Sequence, residues 1–369
     1  MKKNMIKNIL CFCILVIANK QAWSKIITVD NTAGTKAHAT SIQFAIDSLA
    51  SAGDTIIVMP SYLSYYNVAI NKRVFMYAGG HSNATVNKDK KALIASLDIS
   101  GVNASRTSVL GFEISSLSIQ RNADYNRIIN NKINSISLSN SSYNLIQGNV
   151  IILLSRFGFA LINITQSNYN LISNNFMQLH EFVSNLGNLQ GVSFIFGGNS
   201  SNLVINNNFT ECVSGNGNIG RGIWFFNNTR AKIHNNIIWT NVNNRLPIDS
   251  SNLGSDFKNN ITYSVNTTLK NLPGNNFNDT AVAWEGNYSS TNLPFFRPGN
   301  LMKLKSTSVG YAQGTDSTQI GIYGQNYNFS FEGDVPGVAI FEDFQVLKPV
   351  IKRGEKLKVK VKARKPQDN

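Results

Sequence analysis

Cysteine is almost missing from this chain. Three occur, and two of them, Cys11 and Cys13, fall in an apolar run close to the start, so a chain beginning after residue 24 keeps only Cys212. One thiol excludes an intramolecular disulfide and a small stapled scaffold with it. Charge is scarce too. Asp, Glu, Lys and Arg make up 15% of residues, well under the roughly one quarter usual for soluble domains. That shortage excludes a coiled coil, which needs heptads rich in Glu, Lys and Leu, and a highly charged disordered chain. No apolar run approaches the ~20 residues of a membrane-spanning helix. Neither Asp-Asp nor Asp-x-Asp occurs, and His38, His81, His180 and His234 show no metal-ligand spacing, so no metal site is assigned. What is abundant is 52 Asn and 56 Ser or Thr beside 42% hydrophobic residues. Polarity comes from amides and hydroxyls, and the length suffices for one large core.

The two ends differ from the body. Lys2, Lys3 and Lys7 precede the apolar run Ile9–Ala18, and Ala22-Trp23-Ser24 places small residues where a signal peptidase reads. Residues 1–24 therefore read as a signal peptide, and export to the periplasm, the cell surface or the medium is expected. Of the net +14, the first 24 residues hold +4 and residues 348–369 hold +7, leaving +3 for the 323 between. The basic excess belongs to the ends, so no nucleic-acid partner is expected.

A short phrase recurs through the middle. Ile128-Ile129-Asn130-Asn131-Lys132-Ile133 returns as Ile146-Gln147-Gly148-Asn149-Val150-Ile151 and Ile172-Ser173-Asn174-Asn175-Phe176-Met177. Further copies run over 204–209, 233–238 and 257–262, and a degenerate one surrounds Asn287. Irregular spacing around a constant phrase means one structural turn per repeat with loops of variable length. Ahead of it come strand-like runs such as Gly158–Ile162, Gly191–Phe196 and Gly222–Phe226. Asn tolerates left-handed backbone, and stacked amides hydrogen-bond from coil to coil at strand spacing. The phrase thus predicts a ladder of Asn131, Asn149, Asn175, Asn207, Asn236, Asn260 and Asn287 at one corner of a parallel β-helix. The handedness of parallel crossovers makes it right-handed. Leucine-rich repeats are the alternative solenoid, but their Leu-x-x-Leu-x-Leu phrase is missing.

The first coils carry a resemblance. Ser41–Asp47, Ala52–Val58, Pro60, Tyr62, Asn71-Lys72 and Gly79-Gly80 resemble the N-terminal part of the pectin/pectate-lyase-like superfamily of right-handed β-helices. The resemblance covers roughly residues 38–310. It implies an amphipathic helix capping the first coil and a Gly-Asp-Thr turn into the first strand. Ile42, Ala45, Ile46 and Leu49 do share one helical face. Pro60-Ser61-Tyr62 departs from the common Pro-Gly before Tyr. The superfamily includes lyases, hydrolases, epimerases and non-catalytic binding proteins, so the activity stays open. The expected fold is all-β, with a right-handed parallel β-helix over 25–312, a capping helix at about 40–51, and a small β-rich appendage over 313–369. In that appendage Gln319–Gly324 reads as a closing strand and turn. Val338–Val346 and Lys356–Ala363 read as strands, the latter with lysines at every second position.

Chemistry is thinly signalled. Superfamily hydrolases use closely spaced Asp pairs that this chain lacks, and Glu181 with Glu211, after the ladder Asn of adjacent coils, is the one cross-coil carboxylate pair offered. Superfamily lyases use an Arg or Lys base, often with calcium. Arg221, Arg156 and Lys232 are positions for such a base, and calcium is expected only in that case. No other cofactor is called for. Counting three and five residues on from each ladder Asn places Gln178 and His180, Thr210 and Cys212, and Trp239 and Asn241 on one outward face, joined by Trp224. An outward Trp among amides and hydroxyls holds a sugar ring. The alternative is packing of these aromatics under loops, and a one-residue slip would turn the set to the other face. The expected function is an exported solenoid that binds a polysaccharide or cell-surface glycan. A lyase acting on an acidic glycan and a structural or adhesive surface protein are the alternatives.

Overall fold

Alternation of apolar and polar residues at period two becomes two long parallel sheets. The computed structural model describes residues 24–81, 90–153, 160–181, 193–214, 221–226, 229–240, 254–264, 274–277, 280–285, 302–331, 333, 340–346 and 359–364. Ten strands, from Ile26–Val29 to Asp256–Lys258, form the first sheet. Twelve, from Asn67–Ile70 to Ile261–Ser264, form the second. The chain passes from one sheet to the other and back, coil after coil. Arg127–Ile129 lies in the first sheet, Lys132–Ser139 in the second, and Leu145–Gln147 in the first again. This all-β, parallel arrangement is that of a β-helix-like solenoid. Beyond residue 150 the second-sheet strand divides, and Val150–Leu153 and Ala160–Thr165 both pair with Lys132–Ser139.

The core follows from register. Ile27, Ile56, Met76, Val109, Ile128, Ile146, Ile172, Ile205, Ile233 and Phe257 pair in sequence across the first sheet, and all are buried. Each such side chain contributes roughly 1.5–3 kcal/mol of burial, with no neighbouring coil out of step. The second sheet answers with Leu97, Leu117, Ile136, Ile162, Ile195 and Ile223. Over the N-terminal end lies a short helical segment at 42–49. Ser41 accepts the N–H of Phe44, and Ile42, Ala45 and Ile46 are buried against the first coils. Beside it Gly53 turns at φ 94°, and the carboxylate of Asp54 accepts the N–H groups of Lys25 and Ser51 at 2.8 Å.

The Asn corner is built from both members of the Asn-Asn phrase. The first takes left-handed backbone, with φ near 53° at Asn130, Asn174 and Asn207 and 67° at Gly148. The second points inward as a rung. Asn131, Asn149, Asn175, Asn208, Asn236, Asn260 and Asn276 each take the backbone N–H and Nδ2 of the preceding rung on Oδ1, at 2.8–3.2 Å, from Asn149 onward. The expected rung Asn207 is corrected to Asn208. Asn206 belongs to the strand Leu203–Asn206, so in this triple-Asn copy the turn falls on Asn207 and the ladder one residue later. Asn276 is the rung after Asn260, and the expected rung Asn287 lies outside the described residues.

Residues 302–331 then return along the outside of the solenoid as a strap. Gln313 meets Asn259, Thr315 meets Asn235, Ile322 and Gly324 meet Asn174, and Tyr327 meets Asn130, so the strap runs back toward the first coils. Gln319–Gly324 is therefore not a closing strand. It crosses the coils, with Asn174 Nδ2 donating to the Ile322 and Gly324 carbonyls and the Asn235 carbonyl accepting the Gly321 N–H. Met302, Leu304, Ile320, Ile322, Phe329 and Phe331 pack on Val150, Phe176, Phe209, Ile237 and Ile261, forming a second apolar cluster outside the coil. Ile340–Val346 and Val359–Arg364 pair antiparallel.

Candidate functional site

Of the outward face expected from the ladder, Gln178, Thr210 and Trp239 are buried. Gln178, Glu211 and Trp239 are register neighbours, but Gln178 is 1% exposed and Trp239 4%, and Trp239 packs in the apolar cluster beneath the strap. Thr210 pairs with Met177 and Ile238, both core residues, and so sits on the inner column. The one-residue error at Asn207 is what displaced it, because side chains alternate faces. His180 pairs with Val213, and Trp224 with Phe196. Asn241 and Arg156 lie outside the described residues. Glu211 opposes Gln178 while Glu181 opposes Ser214, so the two carboxylates are three positions apart in register and not cross-strand neighbours. Arg221 opens a strand of the second sheet, and Lys232 is exposed on the first between Val204 and Asp256. The two lie in different sheets.

A different corner is open. A second phrase, Asp124-Tyr125-Asn126, Ser142-Tyr143-Asn144 and Asn168-Tyr169-Asn170, recurs at the same intervals as the ladder, and the Asn-Asn repeat beside it hides it. Its Asn residues form a second internal ladder. Asn126 donates its N–H and Nδ2 to Asn144 Oδ1 at 2.9 and 3.1 Å, and Asn144 donates likewise to Asn170 at 2.8 and 3.0 Å. Beside it runs a column of hydroxyls, in which Ser141 N–H donates to Ser167 Oγ and Ser167 N–H to Ser200 Oγ. With both columns turned inward, two residues are left between them, and the one next to the Asn turns outward.

That residue is tyrosine in three successive coils. Tyr125, Tyr143 and Tyr169 hold left-handed backbone at φ 60°, 60° and 56°, uncommon for an aromatic residue. Their rings stack at 4.7 and 4.8 Å, within 6° of parallel, and each is nearly half exposed. Loss of solvent, then the neighbouring phenols and Asp124, raises the Tyr143 phenol above the ordinary tyrosine range. Ser137, Ser139, Asn163 and Thr165 carry a half-buried polar strip onto the adjoining sheet.

At the N-terminal end of the tyrosine column opens a cleft of about 460 Å³, lined by Arg73, Val102, Asn103, Ser105, Arg106, Asn122, Asp124 and Tyr125. The Arg106 guanidinium lies 5.8 Å from the Tyr125 ring centroid. Ser105 bridges the coils, donating Oγ–H to the Asn122 carbonyl and accepting the Asp124 N–H at 3.0 Å. Asp124 Oδ1 accepts the Ser142 N–H at 2.7 Å.

Two other ionisable groupings are built differently. His81 is 1% exposed, and neither ring nitrogen has a hydrogen-bond partner among the described residues. Burial, then the cations of Lys132 and Lys91, lowers its imidazole to about 3. Those lysines pair with Glu113 at 2.7 Å (Lys91) and 3.1 Å (Lys132). The backbone of Gly333 closes over the ring, since a Cβ there would collide with it. On the outer face of the first sheet, His234 and Lys258 both meet Asp256, at 3.0 and 3.2 Å. No group of three His, Cys, Asp or Glu able to hold a metal occurs among the described residues. Nor is any described helix long and apolar enough to cross a membrane. No protein-family model, curated protein or solved structure matches this chain.

Proposed function

We propose that this protein is an exported right-handed β-helix that binds a polysaccharide along its tyrosine-edged corner. The observation that carries the reading is the exposed column of Tyr125, Tyr143 and Tyr169, parallel to the solenoid axis and bordered by hydroxyls and amides. Ring faces inside the column are used by each other. What it offers a ligand is a strip of ring edges and phenol hydroxyls. A long polymer lying across such a strip suits it better than a small molecule needing an enclosed pocket. The coil spacing is close to the rise of one sugar unit in an extended chain, so successive units meet equivalent groups. The hand of the helix rests on the preference of parallel crossovers. Membership of the pectin/pectate-lyase-like superfamily rests on the N-terminal residues, and export on residues 1–24.

Affinity electrophoresis of the purified protein through gels holding neutral or acidic polysaccharides tests the reading. Retention is expected in the wild type. Tyr143→Ala, which breaks the column at its centre, is expected to weaken it about tenfold, within the range that follows truncation of an aromatic side chain at a binding surface. Unchanged retention would remove the corner from consideration. Release of an unsaturated sugar absorbing in the ultraviolet, with calcium present and not with chelator, would instead establish a lyase.

A further inference from the structure

The cleft at the end of the tyrosine column differs from the rest of the corner in charge. Arg73 and Arg106 come from successive coils and line one space, with Asp124 as the single carboxylate. That carboxylate already accepts a backbone N–H from the next coil. Neither arginine pairs with a carboxylate among the described residues. The backbone makes room for one and turns the other. Gly53, at φ 94°, leaves room for the Arg73 guanidinium, because a Cβ there would lie 2.8 Å from its Nη2. Arg106 takes left-handed backbone at φ 64°, donates its N–H to the Asp124 carbonyl at 2.9 Å, and sets its guanidinium over Tyr125.

We propose that this cleft binds the sulfate-ester group of a polysaccharide lying along the tyrosine column, an inference that rests on the glycan-binding reading. Two guanidinium forks, with the amides of Asn103 and Asn122, offer more N–H donors than the two coplanar oxygens of a carboxylate can accept. A tetrahedral ester presents three free oxygens to donors arriving from different coils. The ionisable lining carries a net single positive charge. A sulfate monoester matches it, whereas a phosphate monoester brings −1.5 to −2 and would stay under-compensated. Tyr125 belongs to both features, so a polymer bound on the column places its substituents within reach of the arginines.

Glucose 6-sulfate, glucuronate, glucose and inorganic sulfate, each titrated into the purified full chain and followed by saturation-transfer NMR or calorimetry, separate the outcomes. Glucose 6-sulfate is expected to bind about tenfold more tightly than glucuronate or glucose, the scale of a charge-assisted bidentate contact. Arg106→Lys and Arg73→Lys keep the charge and lose the fork, and each is expected to weaken that binding about fivefold or more with thermal unfolding unchanged. Equal binding of glucose 6-sulfate by both variants, equal binding of glucuronate, or inorganic sulfate bound as tightly as the sugar ester would overturn the proposal. Loss of neutral-polysaccharide retention in Tyr143→Ala tests only the corner. A cleft that fails while that retention persists is overturned by itself.

Discussion

Adjacent asparagines in one phrase do different jobs. Asn174 turns the backbone at φ 53° and donates Nδ2–H to the strap carbonyls of Ile322 and Gly324. Its neighbour Asn175 accepts two N–H bonds from Asn149 and donates to Ile146 and Asn208, fully buried. Removing Asn175 strands two buried donors on Asn149. Asn175→Ala is therefore expected to cost about 2–5 kcal/mol in urea unfolding, the penalty of unmade buried bonds. Asn174→Gly should cost less, about 1–2 kcal/mol, since Gly148 holds the equivalent turn in the preceding coil, although the two strap bonds and one from Gln147 disappear. Equal costs for the two would mean that the ladder does not carry the corner. The Asn-Asn phrase was legible as a turn and a ladder. Which of three consecutive asparagines, Asn206 to Asn208, supplied the rung was not, because the choice depends on where the preceding strand ends.

Across elements, the strap decides what is surface. Val150, Phe176, Phe209, Ile237 and Ile261 all follow a rung residue and point away from the first core, yet all are buried under residues 302–331. The apolar character of that outward column is visible in the sequence, and Trp239 at its third position reads there as exposed. No local pattern says that a segment some 80 residues later lies across it. Gly333, just beyond the strap, lies against His81, and this buried imidazole predicts a pH dependence. The imidazole titrates near 3 when folded against 6.5 for the free side chain, driven first by burial and then by Lys132 and Lys91. Between those values the unfolded chain binds the proton and the folded one does not, so this contribution to stability is complete above pH 6.5 and falls with acidification toward pH 3. At pH 5 the loss should reach about 2 kcal/mol relative to pH 7.5. His81→Leu should flatten that part of the stability–pH curve measured by denaturant unfolding; an unchanged slope would show that His81 is not its source.

On the scale of the whole molecule, the solenoid is nearly one-dimensional, since each coil meets mainly its neighbours and the ends need covering. Ile42, Ala45 and Ile46 of the N-terminal helical segment supply that cover. Ile46→Asp puts an uncompensated charge at 0% exposure. It is expected to cost at least about 3 kcal/mol, with hydrogen exchange rising first in the coils before residue 81. Uniform exchange along the chain would show instead that all coils unfold together. The parallel coils and the Asn corner were determined by the sequence, because each rests on spacing within one coil and repeats until it is unmistakable, and the capping segment by the one apolar face of Ile42, Ala45 and Ile46. The exposed tyrosine corner was written there too, at the ladder's own intervals, but a tyrosine at a turn has no direction until the inward Asn and Ser columns on either side are placed. The covered face, the returning strap and the meeting of Arg73 with Arg106 were decided only by tertiary structure. They join residues far apart along the chain, and side-chain periodicity reports which way a residue points, not what comes to lie on it.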